Sequence, residues 1–356
     1  MNKINEIIKR IRDLDALSMQ RAQERLDSLT KPQGSLGRLE EIARQAAGIT
    51  GKVSPSFKHK VIFTLASDHG VTEEGVSCFP KEVTAQMVYN FLREGAGINV
   101  LAKHVGARVV VVDMGIAEKI QNSKFKIQNF KDKKINFGTK NFSKGPAMTK
   151  EEAVRSIETG IEVFEEELEN GIDIVGTGDM GIGNTTASSA ITACITGKPA
   201  AEITGRGTGI DDESYKCKIE VIKKALNLNK PNPQDPIDIL SKVGGFEIGG
   251  LAGIILAASA NRVPVVIDGF ISGAAALIAF SIAPKTKGYM FASHCSVEIG
   301  HKIILNHLGL KPIFDLGLRL GEGTGAALGI SIVEASIKIL TQMATFKDAA
   351  VSERVV

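Results

Sequence analysis

From residue 60 onward the chain alternates short runs of β-branched residues with longer stretches in which apolar residues recur every third or fourth position. The runs KVIFTLASDHG, ARVVVVDMG, GIDIVGTGD, VPVVIDG, GYMFASH and KPIFDLG predict six strands, most of them closing on Asp or Gly. Between them the clearest helix is expected from Thr149 to Glu169, because Thr149 and Glu152 have capping-box spacing and Gly171 follows its end. This alternation predicts an α/β fold of Rossmann-like type, a parallel six-stranded sheet flanked by helices on both faces. Ligands in such a fold bind beyond the carboxyl ends of the strands, where the Asp and Gly residues collect. Residues 3 to 48 carry helical periodicity instead, interrupted at Thr30-Lys31-Pro32-Gln33-Gly34.

Residues 117 to 144 depart from the rhythm. The stretch KIQNSKFKIQNFKDKKINF is polar and rich in lysine, and it admits a basic interaction surface or a solvated hairpin, of which the hairpin is expected. The polar residues after about Thr345 are expected to fray.

Composition narrows the function classes. With 43 basic and 40 acidic residues in 356, the net charge of +3 gives no reason to expect nucleic acid or an anionic membrane as partner. The cysteines Cys78, Cys194, Cys217 and Cys295 form no C-x-x-C pair, which fits a reducing cytoplasm. The first residues, MNKINEIIKRIRDLD, lack the apolar core of a secretion signal, and apolar stretches such as Ile248 to Ala260 fall short of the ~20 residues a membrane span needs.

Three glycine loops concentrate the candidate chemistry. GTGDMGIGNTT, residues 176 to 186, follows a strand and matches two phosphate motifs imperfectly. Gly176, Gly178 and Gly181 give G-x-G-x-x-G, with Glu202 at the distance of a ribose contact, but Asp179 stands where a pyrophosphate would approach. Read from Gly178, the loop has Gly183 and Thr185 in Walker positions, with Asn184 replacing the lysine that reaches the outer phosphates. A mononucleotide phosphate beside a group that wants a carboxylate suits it better, and a plain strand-to-helix turn is the bland alternative.

In TGRGTGIDDE (204 to 213) the acids suffice as a helix cap. GEGTGAALG (321 to 329) places Glu322 between Gly321 and Gly323, among amides that would otherwise attract phosphate. His294, Glu298 and His301 have i, i+4, i+7 spacing and could share a helix face around a metal, although a helix start with local hydrogen bonds is the expected reading. Asp68-His69-Gly70, at a strand end, reads either as catalytic or as a loop tie.

The segments TKPQGSLGRLE, ASDHGV, VTAQMV, GDMGIGNTT, SHCSVEIGH and LGEGTGAALG together resemble the nicotinate-nucleotide:dimethylbenzimidazole phosphoribosyltransferase (CobT) family over nearly the whole chain. The resemblance implies transfer of ribose 5-phosphate from nicotinate mononucleotide to a benzimidazole-type base, without metal or redox cofactor, in a homodimer. It also implies a small helical domain built from residues 1–55 and 331–356 beside an α/β catalytic domain over 56–330. By position, Glu322 resembles the general base. Asp179, where the family more often carries Glu, is the candidate carboxylate beside the cation-like sugar. Gly181, Ser296 and Arg319 match residues around the phosphate, with Lys218 a weaker match, and Gln86 matches a residue of the base pocket. Gly178, Gly183, Asn184, Thr185, Gly321 and Gly323 complete the expected substrate contacts. Burial would raise the Glu322 pKa and a helix N-terminus would lower it, a balance that sequence leaves open. A nicotinamide-dependent oxidoreductase and a non-catalytic nucleotide sensor are the competing readings.

Overall fold

The computed structural model describes residues 2–120 and 129–352. Seven parallel strands form one sheet: β1 (Lys60–Ser67), β2 (Ala107–Gly115), β3 (Phe130–Asp132), β4 (Ile174–Met180), β5 (Val265–Ile267), β6 (Met290–His294) and β7 (Pro312–Phe314), in the order β3-β2-β1-β4-β5-β6-β7. All six sequence-predicted strands are present. Lys60 of β1 faces Ala107 on one side and Ile174 on the other, so the strand order reverses between β1 and β4. A crevice is expected at that switch point.

The seventh strand corrects the expectation of a solvated hairpin. Phe130 to Asp132 pairs in parallel with Val111 to Asp113, making this lysine-rich stretch an edge strand. Its lysines are ion-paired: Lys131 reaches Glu166 at 3.0 Å and Glu167 at 2.9 Å, and Lys133 reaches Glu166 at 2.5 Å. Charged side chains of this kind blunt an open sheet edge. Residues 121–128 of the same stretch lie outside the described residues.

Side chains of β1 alternate between two covered faces. Phe63 lies 6.3 Å from Phe164 of the helix Lys150–Leu168, and Leu65 packs under Gly250 of the helix Phe246–Ala260. Those two helices meet almost backbone to backbone, since a Cβ on Gly160 would stand 1.9 Å from the Gly250 carbonyl oxygen. Thr149 caps the first of them through the expected box with Glu152. Ile62 and Thr64 face the other way, toward the helix Thr324–Gln342. Among the described residues this is the one helix long and apolar enough to cross a bilayer, and it lies packed on the sheet.

The N-terminal segment forms three helices, Asn2–Arg10, Ala16–Ser28 and Arg38–Thr50, with breaks at Asp15, whose side chain caps the second helix, and at the expected Thr30 turn. Lys31 and Glu40, 7% and 5% exposed, pair at 2.9 Å and close that turn. The stretch after Thr345 does not begin by fraying: Thr345 bridges Leu29, and Phe346 N–H donates to the Ser28 carbonyl at 3.0 Å. Residues 353–356 lie outside the described residues.

Candidate active site

A cavity of about 450 Å³ opens at the carboxyl ends of β4 and β6, between the GDMGIGNT loop and the loop 317–321. Asp179, Gly181, Asn184, Thr185, Ser296, Arg319 and Gly321 of the sequence-predicted residues line it. Phe79 and Phe270, which belong to no motif of the sequence, supply apolar wall together with Leu320, the first residue of LGEGTGAALG. A cavity of this size, mostly apolar with a few converging polar groups, suits a small ligand.

Glu322 is carried by an unusual piece of backbone. Gly321, Glu322 and Gly323 have φ of +82°, +63° and +98°, three successive left-handed residues of which only the outer two lack a Cβ. Left-handed geometry costs an ordinary residue roughly 1–2 kcal/mol, so the surroundings must hold it. They do so from below. Thr64 Oγ1 donates to the Glu322 carbonyl at 3.0 Å, and a Cβ on Gly178 would meet that same oxygen at 2.3 Å. The fully buried Asp268 accepts from Gly323 N at 3.1 Å and Ala326 N at 3.0 Å, capping the helix that the loop begins. Burial raises the Asp268 carboxyl to about 7 despite those amides.

The balance at Glu322 falls in favour of burial. At 4% exposure its carboxyl is pushed above the ordinary glutamate value by desolvation, which the backbone N–H of Ile98 only partly offsets. That N–H, 3.1 Å from Oε2, belongs to the helix Gly97–Val105 rather than to the helix Glu322 precedes. Asp179 is raised further, first by burial and then by the charges of Asp268 and Glu247. One Asp179 oxygen accepts from Asn184 Nδ2 at 3.1 Å; the other is buried without a partner.

The G-x-G-x-x-G spacing has a packing cause. Gly176 makes room for Ala326 and Ile330, Gly178 for the Glu322 backbone, and a Cβ on Gly181 would stand 2.4 Å from the Ser67 carbonyl oxygen. Gly183, at φ +94°, packs on His69 and Thr72, and Gly323 on Ile62, so Gly178, Gly183 and Gly323 support the cavity without lining it. Glu202 is solvent-exposed outside the cavity, which removes the expected ribose acid of a dinucleotide site. Asp68-His69-Gly70 ties the loop: His69 Nε2 and Glu247 Oε1 lie 2.7 Å apart, fully buried behind Gly181.

Cationic groups gather at the far end. Arg319 is exposed and, among the described residues, has no hydrogen-bonding or ion-pair partner. Ser296 Oγ donates to the Leu318 carbonyl at 3.1 Å, tying the loop that carries Arg319. Lys218, 1% exposed, reaches Thr185 Oγ1 at 2.7 Å behind the wall; burial lowers its pKa to about 8, against the raising effect of Glu298. Gln86 does not join them. The buried face of its helix, Val83–Leu92, is taken by Thr84, Ala85 and Val88, which turns Gln86 to solvent.

His294, Glu298 and His301 do not share a helix: the first ends β6, the second precedes the helix Ile299–Leu308, and the third lies within it. The two histidines bond locally, as expected, whereas Glu298 reaches a loop 91 positions away. Glu298 Oε1 accepts from Gly207 N at 2.8 Å and His301 Nδ1 from Ser296 N at 3.0 Å. Burial lowers His294 to about 4 and His301 to about 3. Asp211 caps the helix Asp212–Asn229, accepting from Ser214 N at 2.8 Å.

Known proteins are similar to this chain over nearly its whole length. A family model described as phosphoribosyltransferase matches residues 11–351. The nicotinate-nucleotide–dimethylbenzimidazole phosphoribosyltransferase of Geobacter sulfurreducens is 56% identical over 353 residues, 99% of either chain, and the protein of that name from Roseiflexus sp. (strain RS-1) is 55% identical over 355 residues, 100% of this chain and 99% of its own. A crystal structure titled as CobT from Thermus thermophilus superposes with a TM-score of 0.90 at 41% identity, covering 95% of this chain and 100% of that one. Identity above one half across the full length, on a fold that coincides with a solved example, means that the chain belongs to the nicotinate-nucleotide–dimethylbenzimidazole phosphoribosyltransferase family.

Proposed function

We infer that the chain transfers the phosphoribosyl group of nicotinate mononucleotide to 5,6-dimethylbenzimidazole or a related base, releasing nicotinate and forming α-ribazole 5′-phosphate for cobalamin assembly. A ring nitrogen of the base attacks C1′ of the ribose as the C1′–N bond to nicotinate breaks. The electron pair of that bond leaves on the pyridine nitrogen, which becomes neutral, so departure needs no proton. The attacking base does lose one, from its second ring nitrogen.

Glu322 takes that proton. The observation that carries this role is a carboxylate held in left-handed backbone between two glycines, buried enough to raise its proton affinity, with one oxygen fixed by Ile98 and the other accepting no hydrogen bond among the described residues. Asp179 faces the developing positive charge of the sugar with its unpartnered oxygen. Arg319, Ser296 and the buried Lys218 hold the phosphate, for which a guanidinium and a hydroxyl are apt. We assign residues 1–55 and 331–356 to a small helical domain beside an α/β domain over 56–330, supported by the Leu29–Thr345 bridge, and expect a cytoplasmic homodimer.

The deciding experiment is Glu322→Gln, which keeps the side chain's shape and removes its basicity. Single-turnover rates should fall ~10²- to 10⁴-fold while nicotinate mononucleotide binding changes little. Near wild-type turnover would move proton removal to another group.

A further inference from the structure

A second cavity, about 550 Å³, lies at the opposite, amino end of the sheet, where β6 begins at Met290 and Lys311 leads into β7. Five cations from three separate elements line it: Arg38 and Arg44 from the helix Arg38–Thr50, Lys285 and Lys287 from the turn Pro284–Tyr289, and Lys311. Its two carboxylates are already committed, Asp13 to Lys285 at 2.8 Å and Glu41 to Arg38 at 2.5 Å. The side chains of Arg44, Lys287 and Lys311 have no hydrogen-bonding or ion-pair partner among the described residues, the Lys311 backbone carbonyl alone accepting from Arg38 Nη2 at 3.3 Å, and Arg38 Nε is buried with its donor unused. Three charges are therefore uncompensated on one concave surface, in a protein whose total is +3.

The positive potential registers on the acid within it. The Glu41 carboxyl is held below its ordinary value first by the hydrogen bond from Arg38, with the charges of Lys311 and Arg44 adding to it. Leu14, Met19, Pro284 and Leu310 supply apolar wall beside these charges. The volume suits a small molecule rather than a protein segment, and cations converging from several directions suit a ligand with several negative charges on adjacent groups.

We propose that this cavity is a second anion site, separate from the active-site cavity, which binds an oligophosphate-bearing small molecule, inorganic or nucleotide. Its helix Arg38–Thr50 packs on Thr324–Gln342, the helix that follows Glu322, so occupancy also braces the element on which the active-site loop is built.

The test is calorimetric titration of the full chain with sodium tripolyphosphate and, separately, with ATP, each with excess nicotinate mononucleotide present to occupy the active-site cavity. One equivalent should bind, and affinity should fall about tenfold or more in Arg44→Glu/Lys311→Glu and by less in Lys287→Ala, a milder change at an exposed position. Phosphoribosyl transfer should persist in both variants. Tighter binding of ATP assigns the apolar wall to a nucleoside, and equal binding assigns the site to the phosphate chain alone. No binding, displacement by nicotinate mononucleotide, or unchanged affinity in folded variants overturns the proposal.

Discussion

The carboxylate proposed to accept a proton in the reaction, Glu322, carries a penalty in the resting protein. Its folded pKa is raised, so the stability linked to its protonation is fully present below the unfolded value and is lost as pH rises through the folded one. At neutral pH the ionised side chain is therefore a burden. Glu322→Gln should melt higher than the parent near pH 7, with the difference closing by about pH 4, as scanning calorimetry across pH would report. The same raised value should place the acidic limb of the kcat profile above the ordinary glutamate range. Arg319 makes a different kind of prediction, because its exposed guanidinium has no protein partner to lose. Arg319→Ala should raise the apparent KM for nicotinate mononucleotide far more than that for the base, with little change in melting temperature. Equal effects on both substrates would remove Arg319 from the phosphate.

At the scale of elements, close approach rather than side-chain volume sets the geometry. The helices Lys150–Leu168 and Phe246–Ala260 meet through Gly160, Gly249, Gly250 and Gly253, so Gly160→Ala should cost about 1–3 kcal/mol or more, measured by denaturant titration, although alanine is the better helix former. The strands were legible because their β-branched runs end in Asp or Gly, and the helix at Thr149 because its cap is written in two residues. The edge strand Phe130–Asp132 was not legible. Its three residues are too few for a period, and its lysines, which in sequence suggest solvent, are engaged by Glu166 and Glu167 from a helix some 35 positions away. The site divided the same way. Asp179 and Glu322 declare themselves as acids among glycines, whereas Thr64, Asp268 and Glu247, which position or polarise them, come from distant segments and carry no local pattern. That Gln86 lies outside the cavity lining was not legible either, because motif position says nothing of which way a helix turns.

Taken as a whole, the molecule exposes an apolar rim beside the active-site mouth. Val297 and Ile299 are 58% and 54% exposed, Leu316 and Leu320 are 64% and 60%, and the bond from Val297 N to the Leu318 carbonyl sets the two segments side by side. Patches of this kind favour interfaces between chains, and the proposed homodimer would use this one. With the expected homodimer, sedimentation should report twice 37.9 kDa, and Leu316→Glu should shift the protein toward the monomer. The two ends of the chain are joined as well: Thr30 Oγ1 donates to the Ala344 carbonyl, 314 residues away, and Arg25 Nε to that of Leu340. On a ribosome those partners are separated by roughly 15–60 s of synthesis. The first helices leave the exit tunnel long before the surface they pack against has been translated, and the loop bearing Glu322 comes just ahead of that surface. Until that stretch has emerged, the first helices wait without their partner surface, and a chain cut short before Thr324 lacks the whole helix on which they pack.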